Sequence, residues 1–209
     1  MRMLAGTSRA PQEVVAVAPP DLVELTIEKI AINAVMAGCL PEYLPWVIAA
    51  IEAVCTDEFN MHGVLATTMP VGPVIVCNGP GTRAIGMNSG VNVLGQGNRA
   101  NLTIGRALQL TIRNVGGGRP GEVDRAAHGN PGKLSFCFAE DEVGSPFSSL
   151  SVSRGFDASQ NTQSQSSLAK AHVVSLINLR ASPNTSHKLW LHVCERFIIR
   201  SCRLHLTQC

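Results

Sequence analysis

The sequence predicts an α/β or α+β fold: a mixed sheet with packed helices, plus a poorly ordered C-terminal extension. Three observations predict it. Apolar residues recur at helical spacing in several segments. Short β-rich runs bounded by glycine and proline alternate with those segments. The chain has 209 residues, 45% of them hydrophobic, enough for one domain with a core.

The elements follow in order. Residues 1–18 read as extended, with "EVVAVA" as a strand. Pro19-Pro20-Asp21 breaks the chain, and Asp21 is placed to cap the next helix. "LVELTIEKIAINAVMAG" carries Leu22, Leu25, Ile27, Ile30, Ile32, Val35 and Met36 near helical spacing, and Gly38 suits its C-cap. A second helix is expected in "EYLPWVIAAIEAVC", with Pro45 in its first turn, so the two form a helical hairpin around Cys39. "GVLATT" and "PVIVCN" are expected as strands, and "GTRAIGM" as a short helix. "NLTIGRALQLTIRNV" repeats Leu102, Ile104, Leu108, Ile112 and Val115 at helical spacing. After a polar Gly/Pro segment, "LSFCFAED" alternates as a strand, with Cys137 facing away from Phe136 and Phe138.

Composition divides the chain at residue 155. All 19 glycines lie at or before Gly155. Up to that point there are 11 Lys/Arg and 13 Asp/Glu; beyond it there are six and two. Domain boundaries are therefore expected at 1–155, an α/β domain, and 156–209, a low-glycine tail that opens on the low-complexity "DASQNTQSQSSLAK". A working domain normally needs glycine at some turn or cap, so the tail is expected to be foreign to the domain.

Charge and patterning exclude several function classes. A net charge of +2 does not suit a nucleic-acid binder. The most apolar stretch, Ile30–Cys55, is interrupted by Asn33, Pro41, Glu42, Pro45 and Glu52, so no membrane span is expected. The N-terminus lacks a signal-peptide core, which leads to an expected cytoplasmic location. Seven cysteines without C-x-x-C spacing form neither a zinc signature nor a disulfide framework. No H-E-x-x-H, nucleophile elbow or P-loop occurs, and the sequence names no cofactor.

The densest collection of binding groups is Gly86–Leu108, "GMNSGVNVLGQGNRANLTIGRAL". Its glycines allow close backbone approach, and its asparagines offer donors and acceptors in tight turns. A helix follows, whose first amides attract anions. Asn88, Asn92, Gln96, Arg99 and Asn101 are therefore expected to hold a small polar or anionic ligand, with Arg106 nearby. The competing reading is a structural loop whose amides cap its own backbone. "GQGNRA" has G-x-G-x-x-A spacing but follows a polar loop rather than a strand, so it is not a dinucleotide fingerprint.

A second candidate is Cys39. A thiol at a helix start has a lowered pKa and can act as a nucleophile. Glu42 and Tyr43, just beyond, and His62 could serve as its acid or base. The plain alternative is a buried packing cysteine. Glu140, Asp141 and Glu142 end a strand, where carboxylates can take a metal or a proton; an exposed acidic turn is the ordinary reading. Arg119, Glu122, Asp124, Arg125 and His128 lie in a mixed-charge loop that reads as solvated.

"EKIAINAVMAGCLPEYLPWVIAAIEA", "GMNSGVNVLGQGNRANLTIGRAL" and "GGGRPGEVDRAAHGNPGKLSFCFAEDEVGSPF" resemble a poorly characterised family of bacterial proteins often labelled thioredoxin-like or selenoprotein-related. The resemblance runs from about Met3 to Phe156. It implies a chain truncated at the N-terminus with an atypical tail. Some members carry a Cys/selenocysteine-Gly-Ser-Cys redox motif; this chain has no Gly-Ser-Cys. The expected function is an enzyme-derived domain that binds a small polar or anionic ligand, with a thiol-based redox or nucleophilic activity. The alternatives are a non-catalytic binding or assembly subunit, acting as a homo-oligomer, and a non-functional truncated product.

Overall fold

The computed structural model describes residues 2–155 and the backbone of residues 170–175. The fold is α+β. A two-stranded hairpin, β1 (Val14–Ala18) and β2 (Val23–Thr26), is antiparallel. A three-stranded mixed sheet has the order β4-β3-β5, with β3 (Pro73–Asn78) central. β4 (Cys137–Ala139) pairs parallel to β3, with Ile75 opposite Cys137 and Cys77 opposite Ala139. β5 (Lys170–Ser175) pairs antiparallel, from Pro73 opposite Ser175 to Asn78 opposite Lys170. Six residues of the segment expected to be foreign thus complete this sheet. The remainder of 156–209 lies outside the described residues.

The hairpin corrects one expectation. The helix α1 is Ile27–Ala37, and it starts five residues later than Asp21 would have it. Thr26 is the cap, its Oγ1 accepting from the Lys29 amide at 3.3 Å. "VELT" instead pairs with β1, and Leu22, at the hairpin turn, has φ of 53° and is exposed. Pairing with β1 outweighs the helical spacing of Leu22 and Leu25. At the other end, Gly38 closes α1 in the left-handed conformation (φ 88°), as its position suggests.

A 3-10 turn, Pro41–Tyr43, leads into α2 (Leu44–Val54), whose second residue is Pro45. α2 is apolar nearly all round and buries Leu44, Trp46, Val47, Ile48, Ala50, Ile51 and Val54. "GVLATT" is a helix rather than a strand. α3 spans Met61–Ala66, and Asn60 caps it by accepting from the Gly63 amide at 3.1 Å. The cap overrides the β propensity of Val64. The short α4 (Gly81–Ala84) and the long α5 (Arg99–Asn114) follow, and α6 (Leu150–Ser153) ends the main segment.

The sheet's two faces differ as a period of two requires. Ile75, Cys77, Cys137 and Ala139 join the main core with Ile27, Ile30, Leu44, Ile51, Ile104, Leu108 and Ile112. Val74, Val76 and Phe138 form a smaller cluster on the other face, with Val93, Phe136 and Leu150 packed on it. Cys137 and Phe138 therefore do face opposite ways. Each fully buried Ile or Leu contributes roughly 1.5–3 kcal/mol.

α5 lies very close to β4. A Cβ on Gly105 would stand 2.4 Å from Ser135 Oγ and 3.1 Å from both Cys137 Cβ and the Phe136 amide nitrogen. Only glycine allows that approach. Gly105→Val is expected to lower stability by about 1–3 kcal/mol, read as a lower urea midpoint in equilibrium unfolding. An unchanged midpoint would mean that α5 and β4 are not so closely apposed.

Candidate functional site

β3 and β4 are parallel neighbours joined through α4, a loop and α5. Such a connection must return the chain to the start of the second strand, so its helix begins near the carboxyl ends of the strands. Hydrogen bonds tie that end together. The Asn88 carbonyl accepts from the Ala139 amide at 3.3 Å and from Asn101 Nδ2 at 3.0 Å. The amide-rich loop, the start of α5 and the end of β4 therefore meet. In open sheets with parallel strands, ligands bind in the crevice at this end.

Most of the loop's amides are engaged with its own backbone. Asn101, buried, accepts from the Asn88 amide at 3.1 Å and donates to the Asn88 and Val93 carbonyls at 3.0 and 3.2 Å. Asn88 Oδ1 accepts from the Gly90 amide at 2.9 Å, and its Nδ2 donates to the Val91 carbonyl at 2.9 Å. Asn98 caps α5 through the Asn101 amide at 3.0 Å and donates to the Gly86 carbonyl at 2.7 Å. Asn92 takes the left-handed conformation (φ 57°), and its side chain donates to Gln96 Oε1 at 3.4 Å. The expected ligand groups Asn88 and Asn101 thus hold the loop's shape, while Asn92, Gln96 and Arg99 are exposed. Arg99 Nε donates to the Gly38 carbonyl at 3.0 Å.

That bond places Cys39 beside Arg99. The Cys39 thiol donates to the Thr103 carbonyl at 3.3 Å, one turn into α5. The sulfur and the front of α5 are therefore together. The expectation of a lowered pKa is corrected, however. Burial raises the Cys39 thiol above its ordinary value, while the Thr103 side chain and the charge of Arg99 pull the other way. The carbonyl in front of the sulfur and the cost of desolvation outweigh any gain from a short 3-10 turn. Burial, and then the charge of Glu42, raise the Tyr43 phenol too. Glu42 and His62 are exposed, and neither makes a hydrogen bond to Cys39. Arg119, Glu122 and Asp124 lie in a loop where Lys133 pairs with Asp124 at 2.7 Å and Arg119 with Glu122 at 3.6 Å.

Cys77 and Cys137 face each other across β3 and β4 with sulfurs 3.9 Å apart. Burial and the neighbouring Cys77 hold the Cys137 thiol well above its ordinary value. Burial alone pushes Cys55 up to about 11.

Beyond the strands lies a buried polar group that the sequence only half revealed. Glu140, expected as part of an exposed acidic turn, is 7% exposed. Its carboxylate accepts from the Leu150 amide at 2.9 and 3.1 Å and from Asn78 Nδ2. Asn78 is 1% exposed. The available signal was an asparagine closing the apolar run "PVIVCN" just before Gly79-Pro80-Gly81. Glu142 Oε2 accepts from the Gly79 amide at 3.2 Å, and Thr82 Oγ1 donates to the Gly79 carbonyl at 2.8 Å. Among the described residues, no three His, Cys, Asp or Glu side chains are grouped to hold a metal ion.

No protein family, curated protein or solved structure matches the chain. Among the described residues, no helix is long and apolar enough to cross a membrane.

Two outcomes test this arrangement. Iodoacetamide at pH 7 is expected to label Cys39, Cys55, Cys77 and Cys137 slowly, because each thiol is buried or part-buried. For Cys55 the sign is set by its raised pKa: the protonated thiol's contribution to stability is whole below its ordinary value of 9.0 and is lost as pH rises toward about 11. Labelling of Cys55 should accelerate over the same interval; fast labelling at pH 7, located by peptide mapping, would contradict it. Asn101→Ala, which removes three bonds closing the loop, is expected to destabilise by roughly 1–3 kcal/mol and to speed amide exchange at Asn88. Unchanged exchange there would show that the loop does not rely on Asn101.

Proposed function

We propose that the chain is an enzyme-derived binding domain for a small ligand that presents a carboxylate or phosphate to Arg99 and the first turn of α5. One observation carries the reading. Arg99 is exposed and tethered through Nε alone, so its terminal nitrogens have no partner among the described residues. It stands at the start of a 16-residue helix. The Arg99 and Ala100 amides also lack acceptors among the described residues. A fixed guanidinium beside free helix-start amides suits planar, bidentate recognition of an anion. Asn92 and Gln96, exposed on the same loop, supply further polar contacts.

In this reading the ordinary task is binding, with Cys39 protonated beneath Arg99 at neutral pH. A thiol-based activity is the second reading. What favours it is the charge of Arg99, which opposes the effect of burial on Cys39. A ligand that opened the contact with Thr103 would expose the sulfur to that charge.

Differential scanning fluorimetry with inorganic phosphate and with succinate, at constant ionic strength, tests the binding reading. Tm should rise saturably for at least one of them. Arg99→Ala should weaken the apparent affinity by about tenfold or more, since a charge-assisted pair is lost. An equal rise in Arg99→Ala, or no rise with either anion, would overturn the proposal.

A further inference from the structure

We infer a second recognition point at the carboxyl end of β3, built to take a protonated amine on Asn78 Oδ1 and Glu142 Oε1. It goes beyond the proposed binding function and is carried by separate observations.

The two oxygens are side-chain atoms shut off from solvent with no hydrogen-bond partner among the described residues. A buried acceptor without a donor costs about 1–3 kcal/mol, and native folds keep few such atoms. Here one belongs to Asn78 and the other to Glu142, whose second oxygen is bound to the amide of the residue after Asn78. Asn78 turns its Nδ2 to Glu140, which directs Oδ1 elsewhere. The next residue, Gly79, gives its amide to Glu142 Oε2 at 3.2 Å, which leaves Oε1 open. The surroundings hold both groups in place. Asn78 ends a strand that is buried throughout, and Thr82 Oγ1 locks the Gly79 carbonyl at 2.8 Å.

The chemistry of this pair selects the ligand. Both open atoms are acceptors, so the ligand must donate. Glu142 makes no ion pair with any cation among the described residues, so a positive charge is favoured. A neutral hydroxyl or water would supply donors but no charge. A divalent ion would require more anionic ligands, and no three acidic, histidine or cysteine side chains are grouped among the described residues. A primary ammonium has three donors and one charge, which meets an amide oxygen and a carboxylate oxygen together. Glu142 sits half-buried on the turn after β4, so rotation of that one side chain admits an amine.

The test uses the full-length, 15N-labelled chain titrated with ethylammonium chloride and followed by 1H–15N NMR. Sodium chloride holds ionic strength constant, and tetramethylammonium, a cation without N–H donors, is the control. The Gly79 amide and the Asn78 side-chain resonances should shift saturably with ethylammonium and not with tetramethylammonium. Asn78→Leu removes a buried donor to Glu140 and could unfold the chain, so the near-isosteric Glu142→Gln is the primary variant. It keeps an oxygen for the Gly79 amide, loses the charge, and should weaken ethylammonium binding by about tenfold. Three results would overturn the inference: no saturable shift, equal shifts with tetramethylammonium, or undiminished binding in Glu142→Gln. Saturation of the same resonances by magnesium at lower concentration would overturn it in favour of a metal site. Should phosphate or succinate still stabilise the chain through Arg99 while ethylammonium fails, this inference alone falls. Should both anions fail while ethylammonium binds, the anion reading falls and the amine site stands.

Discussion

α5 rests against β4 with only a hydrogen atom on Gly105 between the helix backbone and Ser135, Phe136 and Cys137. The contact is reinforced where the Ser135 hydroxyl donates to the Leu102 carbonyl at 2.8 Å. Once the helix is seated there, its first turn has one available position, beside the end of β4. Asn101 then falls within reach of Asn88 and Val93, and Thr103 within reach of Cys39. The loop's shape, the tether of Arg99 and the burial of Cys39 all follow from that one close approach. The packing is not made by large side chains interlocking but by the removal of one.

The distribution of satisfied and unsatisfied polar groups separates scaffold from site. A loop rich in amides can look like a ligand cradle because the same groups serve both purposes. Asn88, Asn98 and Asn101 use their side chains on backbone groups, as Asn-rich turns ordinarily do. What is left over is elsewhere: the terminal nitrogens of Arg99 and two oxygens behind β3. Recognition depends on unspent valence, and abundance of polar residues is a poor guide to where it lies.

The elements read correctly from sequence are those whose signal is local and unopposed. "PVIVCN" is short, continuous and bounded by Gly72 and Gly79, as a strand buried on both faces should be. α5 has sustained spacing with a cap residue in front. The failures come from competition. "VELT" carries helical spacing, yet pairing with β1 draws it into the hairpin. "GVLATT" has strand-forming residues, yet Asn60 starts a helix before them. "KAHVVS" sits in a segment judged by its lack of glycine, a criterion that says nothing about six residues with strand propensity. In the site, the burial of Cys39 is the plain alternative that its residue type offers. Its meeting with the front of α5 is not legible in spacing, because Thr103 arrives from more than sixty residues away. Asn78 is not legible as a site residue, because one asparagine at a strand end carries no pattern.

The competition at Cys39 shows which of two opposing effects governs a buried thiol. A helix start and a nearby guanidinium both favour the thiolate, but their benefit is delivered only to a charge that can form. Here the sulfur is 7% exposed and its proton is already directed at a carbonyl. Ionisation would remove that bond, set a negative sulfur against the Thr103 oxygen and forgo hydration. Arg99 reduces this cost without cancelling it, because its Nε is committed to Gly38 and the rest of the guanidinium is exposed, where water screens its field. The same exposure that weakens Arg99 as an activator of sulfur leaves it free to meet an incoming anion. One residue cannot do both well in this geometry, and the solvent side is where its hydrogen-bonding capacity remains.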